Sequence, residues 1–469
     1  MKLKARLFAL FLLPWALGAA RAEQTAAPAG ESLALLEKLI AIDTTNPPGN
    51  ELKAAEFVRE YLAREGIPSE ILEPAPGRGN LIARLPGAGK AESLLLLGHL
   101  DVVPADPKEW QSPPLQPRIA DGYLYGRGAL DMKGLVALQI QTLVRLKREA
   151  VKLDGDVILV LVADEEAGGK QGAGFLVERH WDRVKAGYVF GEGSVGLARD
   201  GLHLYPIQVA EKGVAWMRLT AHGASGHGSM PAADNAVAKL ARAVERIASW
   251  RQPIVETPIA ARFLAGLAEK FSFPKSFLMR HLFDWPIAPL AARFFGGSLE
   301  KEKILNAMLR NTATPTVLQA GSKTNVIPAT AVAEIDARIL PGETPESYVE
   351  KVRARIADPD IAIELIQANA ANQSPFETPY FAAIEAAIRK QDPEAVVLPF
   401  VSPGATDNRF FRGKGALAYG IIPFLIQPKD LAGLHGKDEA IPVVELERGE
   451  KILWDLVISL QAEKPTPRP

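Results

Sequence analysis

Three short apolar runs, each of strand length and each ending in side chains that bind metals, constrain this chain more than any other feature. Ser93 to Leu97 leads into Gly98-His99-Leu100-Asp101. Val157 to Val162 leads into Ala163-Asp164-Glu165-Glu166, and Gly187 to Phe190 into Gly191-Glu192-Gly193. Met132 to Glu149, between the first two runs, has helical periodicity. This alternation argues for an α/β sheet with helices on its faces. Strand ends in such a sheet share one edge, where ligands bind. Sequence-distant segments can therefore meet there, with Asp131 in Gly126-Arg127-Gly128-Ala129-Leu130-Asp131-Met132-Lys133-Gly134 as a fourth contributor.

The remaining chain divides around that pattern. Helical spacing covers Ser32 to Ile40 and Leu52 to Glu65, separated by the breaker Asn46-Pro47-Pro48-Gly49-Asn50. After about Ala210 the texture changes. Val214 to Ala221 and Thr330 to Leu340 read as strands, Ala233 to Trp250 and Pro345 to Ala357 as helices, and Ile361 to Gln367 as a last strand. Helices at Tyr380 to Lys390 and Val443 to Ala462 then restore the first pattern. The expected organisation is a signal peptide over 1–22, a catalytic domain over 23–210 and 371–469, and an inserted α+β lid over 211–370. Ile254 to Gly297 is rich in Phe, Leu, Ala and Pro. It reads first as packing inside the insert, with an apolar substrate wall or a membrane-surface patch as alternatives.

Length and charge set the class. A chain of 469 residues is too long for one ordinary domain. With 48% hydrophobic and 23% charged residues it suits a globular protein with a large core. A net charge of -1 gives no electrostatic case for nucleic acid as a partner. Lys2, Lys4 and Arg6, the apolar run Leu7 to Leu17 and Ala20-Arg21-Ala22 have the form of a cleavable signal. The run is shorter than the ~20 residues of a membrane span. The expectation is export to a periplasm or the outside, with no stable membrane span. The chain has no cysteine, which excludes disulfides, thiol nucleophiles and thiolate metal sites. A metal would have to be held by His, Asp and Glu, and there are only seven histidines.

Each candidate has an ordinary structural reading beside the chemical one. An isolated His99 would pass as a core histidine. Asp101, two residues on, points the same way if the segment is extended, and a carboxylate there fixes the tautomer of a ligating imidazole. Glu165-Glu166 could be a solvated acidic turn. Placed straight after a buried strand, adjacent carboxylates are costly unless positive charge lies beside them. With a metal they divide labour, one ligating and its neighbour taking a proton from water whose pKa the metal lowers to ~7. Asp131 could be a plain helix N-cap, or a carboxylate bridging two metals ~3.5–4 Å apart. His435, in Gly433-Leu434-His435-Gly436-Lys437-Asp438-Glu439, supplies a second imidazole. Gly191-Glu192-Gly193-Ser194-Val195-Gly196 also fits a dinucleotide-binding pattern. Its acidic residue would repel a pyrophosphate, and no clear helix opens after it.

Taken together, these motifs resemble the zinc exopeptidase and amidohydrolase family of carboxypeptidase G, carboxypeptidase S, aminoacylase, acetylornithine deacetylase and succinyl-diaminopimelate desuccinylase. The likeness runs from about Ser32 to Leu460. It implies a mixed-sheet α/β catalytic domain with helices on both faces, plus an inserted α+β lid that makes a homodimer contact. It implies two zinc ions, with cobalt or manganese as substitutes: His99 and Glu192 on one, Glu166 and His435 on the other, and Asp131 bridging. Glu165 would be the general base and Asp101 would orient His99. His227 would steady the oxyanion in the neighbouring subunit's site. Asn325, Arg338 and Gly404 in Gly404-Ala405-Thr406-Asp407 would contact substrate, and the planar fork of Arg338 suits a carboxylate. His180, His203, His222 and His281 fall outside the match.

The implied reaction is hydrolysis of an amide bond next to a free carboxylate. An exopeptidase acting on small peptides, carboxypeptidase-like, is the first expectation and an N-acyl-amino-acid amidohydrolase the alternative, with the apolar segment favouring an apolar side chain or acyl group on the substrate. A binding protein without activity is disfavoured by the intact ligand set and Glu165.

Overall fold

The computed structural model describes residues 30–301 and 303–463, and the side chains of 296–303 fall outside that description. The expected signal peptide at 1–22 therefore lies outside the described residues.

All three apolar runs form strands: Leu94–His99 and Val157–Val162, both fully buried, and Tyr188–Arg199, longer than its apolar part and only partly buried. They lie at the centre of a nine-stranded sheet. Its order is Ser69–Leu72, Asn80–Leu85, Val157–Val162, Leu94–His99, Tyr188–Arg199, Leu417–Ile426, Leu202–Glu211 and Asn372–Gln373, with Val396–Ser402 pairing Leu202–Glu211. The sheet is mixed. Leu94–His99 runs parallel to both of its neighbours, while Asn80–Leu85 is antiparallel to Val157–Val162. The central strands are buried on both faces, which accounts for continuous Leu and Val runs where an exposed strand would alternate.

Register fixes where the chemistry emerges. His99 is level with Val162, and Leu96 is level with both Leu159 and Phe190. The loops that follow His99 and Val162 therefore leave the sheet side by side, next to Glu192.

Helix Lys133–Arg148 is buried along nearly its whole length, and Glu31–Ala41 and Val443–Gln461 pack over it. Three helices begin with Thr-Pro: Pro258–Ala268, Pro345–Ile356 and Pro379–Gln391. In each the preceding Thr accepts the third residue's N–H at 3.1 Å. Such a cap contributes ~1 kcal/mol, and proline at the first helical position sacrifices no hydrogen bond.

A second, four-stranded antiparallel sheet has the order Thr312–Ala320, Thr330–Ile339, Gly213–His222, Ile361–Asn369. Alternate residues of Thr330–Ile339 are buried, and helices Ala236–Ala248 and Pro345–Ile356 complete a separate core there. One residue, Lys212, joins this sheet to the main one.

The apolar segment after Ile254 departs from the first expectation. It packs on the main sheet, not inside the insert. Phe263 and Leu264 belong to the main core, and the Phe263 ring sits 6.2 Å from that of Phe400. Helix Pro258–Ala268 approaches Val396–Ser402 so closely that a Cβ on Gly266 would run into Leu398. Strand Val396–Ser402 offers an apolar face that the smaller domain's own helices do not reach, and this segment covers it.

Candidate metal centre and its cavity

The side chains of Asp131 and His99 meet at the sheet edge, Asp131 Oδ1 lying 3.0 Å from His99 Nε2. The other carboxylate oxygen, Oδ2, lies 3.1 Å from His435 Nε2. Asp131 is not a helix cap, since Met132 holds that position. Glu192 Oε1 is 3.6 Å from His99 Nε2, and Glu166 Oε2 is 3.2 Å from His435 Nε2. Two triads result, His99–Asp131–Glu192 and Asp131–Glu166–His435. In each, the donor atoms lie within 4.8 Å of one another.

Electrostatics suit a cation. Burial and the nearby Asp131 push Glu192 up to about 7. Burial opposes the charged form of His99, but Glu192, Asp101 and Asp131 outweigh it and hold the imidazole well above its ordinary value. Asp131 and Glu166 raise His435 to about 10. Carboxylates thus outnumber imidazoles, and protons fill the deficit of positive charge. Divalent ions bound by mixed imidazole and carboxylate donors fit this set, as zinc, cobalt or manganese would.

Asp101 does more than flank His99. Its Oδ1 accepts the N–H of Glu165 at 3.2 Å, and its Oδ2 accepts the N–H of Glu166 at 3.1 Å. The Nδ1 of His99 is closer to the Asp101 carbonyl, at 3.0 Å, than to its carboxylate, at 3.5 Å. Buried Asn46 donates to Asp101 Oδ2 at 2.8 Å and accepts from Arg78 at 3.0 Å. Asp164, just before the glutamates, is left-handed with φ 72. A non-glycine residue rarely adopts this conformation, and it turns the chain sharply at the strand end. Burial, with Glu192 next in effect, raises Glu165 well above the usual carboxylate range. A carboxylate shifted in this way beside other charged groups is a candidate for acid–base chemistry.

Glu439 is fully buried and supports the bridging aspartate from behind. Its Oε1 accepts the N–H groups of Leu130 at 2.7 Å and Asp131 at 2.9 Å. Its Oε2 accepts Gly128 N–H at 2.9 Å and Arg127 at 2.7 Å. Arg127 also donates to the carbonyl of Gly436, next to His435. Asp407 closes the loop Gly404-Ala405-Thr406-Asp407 and lies beside the centre. Both its carboxylate oxygens are buried without a hydrogen-bond partner among the described residues. It borders a small void shared with His99, Glu165 and Glu192, and burial raises it to about 7. Gly420 admits the Glu192 strand, since a Cβ there would collide with the Glu192 carbonyl.

A cavity of about 1790 Å³ opens from the centre. Asp131, Glu165, Glu166, Glu192 and His435 line one end, and Gly404 lines it nearby. Its walls are mostly apolar, drawn from Phe263, Leu267, Phe271, Met279, Phe295 and Phe400. Most of these belong to the segment misplaced by sequence reasoning.

The other expected residues lie elsewhere. His227 and Asn325 sit together on the smaller domain, because His227 pairs with Val326 and Gly228 donates to the Asn325 carbonyl at 2.9 Å. Both are exposed, and His227 Nδ1 lies 2.7 Å from Ser229 Oγ. Arg338 has its fork engaged by Asp336, at 2.7 and 3.1 Å. None of the three lines the cavity of its own chain.

Comparison with known proteins matches residues 95–459 to the family model described as peptidase family M20/M25/M40. The chain is 30% identical over 374 residues to the N-fatty-acyl-amino acid synthase/hydrolase PM20D1 of Homo sapiens, covering 77% of this chain and 73% of that protein. It is 25% identical to aminoacylase-1 of Sus scrofa, covering 93% and 97%. Among solved structures, the M20 family metallo-carboxypeptidase Sso-CP2 from Sulfolobus solfataricus superposes with a TM-score of 0.68 at 18% identity, covering 91% and 98%.

Proposed function

The chain belongs to peptidase family M20/M25/M40, and from that premise we propose that it hydrolyses N-acyl amino acids carrying a long apolar acyl group. That it is a hydrolase of the peptidase or amidohydrolase kind follows from the family. The finer reading is carried by the apolar cavity that begins at Glu165 and is walled by Phe263, Leu267, Phe271 and Phe400. A small dipeptide would leave most of that surface unfilled, whereas an alkyl chain gains ~0.8 kcal/mol for each buried CH₂. The relative PM20D1, named for N-fatty-acyl amino acids, supports the same substrate class.

In this reading His99, Asp131 and Glu192 hold one divalent ion, and Asp131, Glu166 and His435 a second, with zinc first and cobalt or manganese as substitutes. When bound, such ions polarise a carbonyl and make a nearby water acidic. Glu165 takes the proton from the attacking water and returns it to the departing nitrogen of the amino acid. Asp101 fixes the loop that carries Glu165, through the backbone N–H groups of the glutamate pair. Gly404 lies beside the scissile bond, and the apolar wall takes the acyl chain and excludes water.

We assign 23–210 and 371–469 to a catalytic unit and 211–370 to a lid, with the segment after Ile254 serving as the catalytic unit's wall. His227 and Asn325, exposed and adjacent, would act in the site of a second copy in a dimer. Arg338 would release Asp336 to receive the substrate carboxylate as the lid closes. Residues 1–22 are proposed to direct export and be removed.

A hydrolysis panel tests the substrate. N-oleoyl and N-octanoyl amino acids should be cleaved with higher kcat/KM than N-acetyl amino acids or dipeptides. Faster cleavage of dipeptides would replace this reading with a carboxypeptidase.

A further inference from the structure

The cavity's outer rim carries an unusual surface. Phe273, Phe277, Trp285 and Phe294 are the exposed Phe and Trp side chains among the described residues, and all fall within one short stretch. Phe273 is 79% and Trp285 84% exposed. The stretch comprises the short helix Lys275–Arg280, the start of Ala288–Lys301 and the turns before each. Leu290 and Phe294 are partly exposed and also line the cavity, so the patch and the cavity wall are continuous.

Charge in the same stretch is biased. Lys270, Lys275, Arg280 and Arg293 stand against Glu269 and Asp284, and Asp284 is held by His281 Nδ1 at 2.6 Å. The chain as a whole is slightly acidic. Aromatic side chains interleaved with basic ones suit the boundary between lipid headgroups and acyl chains, where rings bury and cations meet anionic phosphates. No helix among the described residues is long and apolar enough to cross a membrane, so such a surface would rest on a bilayer without spanning it.

We propose that this rim docks on a bilayer carrying anionic lipid, setting the cavity mouth against the acyl layer so that a substrate's chain passes in without crossing water. Docking itself stands on the patch. Only the passage of substrate rests on the N-acyl-amino-acid reading above.

Sedimentation of the mature chain with vesicles tests it, using phosphatidylcholine with and without phosphatidylglycerol. The wild type should bind, and phosphatidylglycerol should strengthen binding. The double variant Phe273→Ser/Trp285→Ser should bind the mixed vesicles at least ~tenfold more weakly. Neither residue lines the cavity, so this variant should hydrolyse a soluble N-acetyl amino acid at the wild-type rate, showing that it is folded. Wild type that fails to bind either vesicle, or a double variant that binds as well as wild type, overturns the proposal. So does a dimer seen by light scattering that the double variant breaks, since the patch would then belong to a second copy. If vesicle binding follows the expected pattern but long-chain N-acyl amino acids are not cleaved, docking stands and the substrate reading falls.

Discussion

Glu439 accepts the backbone N–H of Asp131 at 2.9 Å from a fully buried position, so the carboxylate that faces both imidazoles is held by another carboxylate behind it. Replacing Glu439 with Gln removes its charge and trades an acceptor oxygen for an NH₂ that faces N–H donors. The expected result is a ~10–100-fold loss of metal affinity, the usual effect of removing a partner that orients ligands. Chelator competition would measure it. Unchanged affinity would mean that Asp131 is positioned without help from Glu439.

Glu165 should carry proton transfer and not metal retention. Glu165→Gln is expected to lower kcat by ~10²–10⁴, while metal content measured by elemental analysis stays at the wild-type level. Hydrolysis that continues at a similar rate would remove Glu165 from the mechanism.

The length of the acyl group should be readable from the cavity wall. Leu267 is half-buried and lines the apolar part of the cavity. Leu267→Trp should fill that space and raise KM for N-oleoyl substrates by ~tenfold or more, about the value of two buried methylenes. Cleavage of N-acetyl substrates should hardly change. Equal losses on both would show that the chain binds elsewhere.

Lys212 predicts a dependence of stability on pH. Burial, with Arg338 next, lowers its ammonium to about 7 against an ordinary 10.5. Its Nζ donates to the carbonyls of Arg310 at 2.8 Å and Ala307 at 3.2 Å. Below about pH 7 the group is charged in both folded and unfolded chains, and the folded state carries the full penalty. Between about 7 and 10.5 the unfolded chain binds more protons, so stability rises with pH. Urea midpoints across this window should climb for the wild type, and Lys212→Met should flatten that slope. Equal slopes would show that the lysine titrates normally.

Much of the candidate centre was legible because each candidate ligand follows an apolar run or sits in a short glycine-flanked motif. His99, Glu165 and Glu166 lie at or just beyond strand ends, Glu192 lies just past the apolar part of Tyr188–Arg199, and the sheet's register brings them level. The roles of Glu439 and Asn46, and the position of Asp407 beside His99 and Glu192, were not legible. Each acts through contacts with backbone or side chains far along the chain, and no local pattern records such a contact. The strands Val396–Ser402 and Leu417–Ile426 went unnoticed among turn residues and a proline in each. The segment after Ile254 read correctly as apolar, but composition does not say which surface an apolar segment covers. Only the fold shows that it buries strand Val396–Ser402.

The two triads are completed at different moments of synthesis. His99, Asp131 and Glu192 are all translated before the smaller domain, whereas His435 is translated after it. Strand Leu417–Ile426, which must slot between Tyr188–Arg199 and Leu202–Glu211, is equally late. A growing chain therefore presents the first triad on an unfinished sheet, and the second triad cannot be completed until translation is almost over.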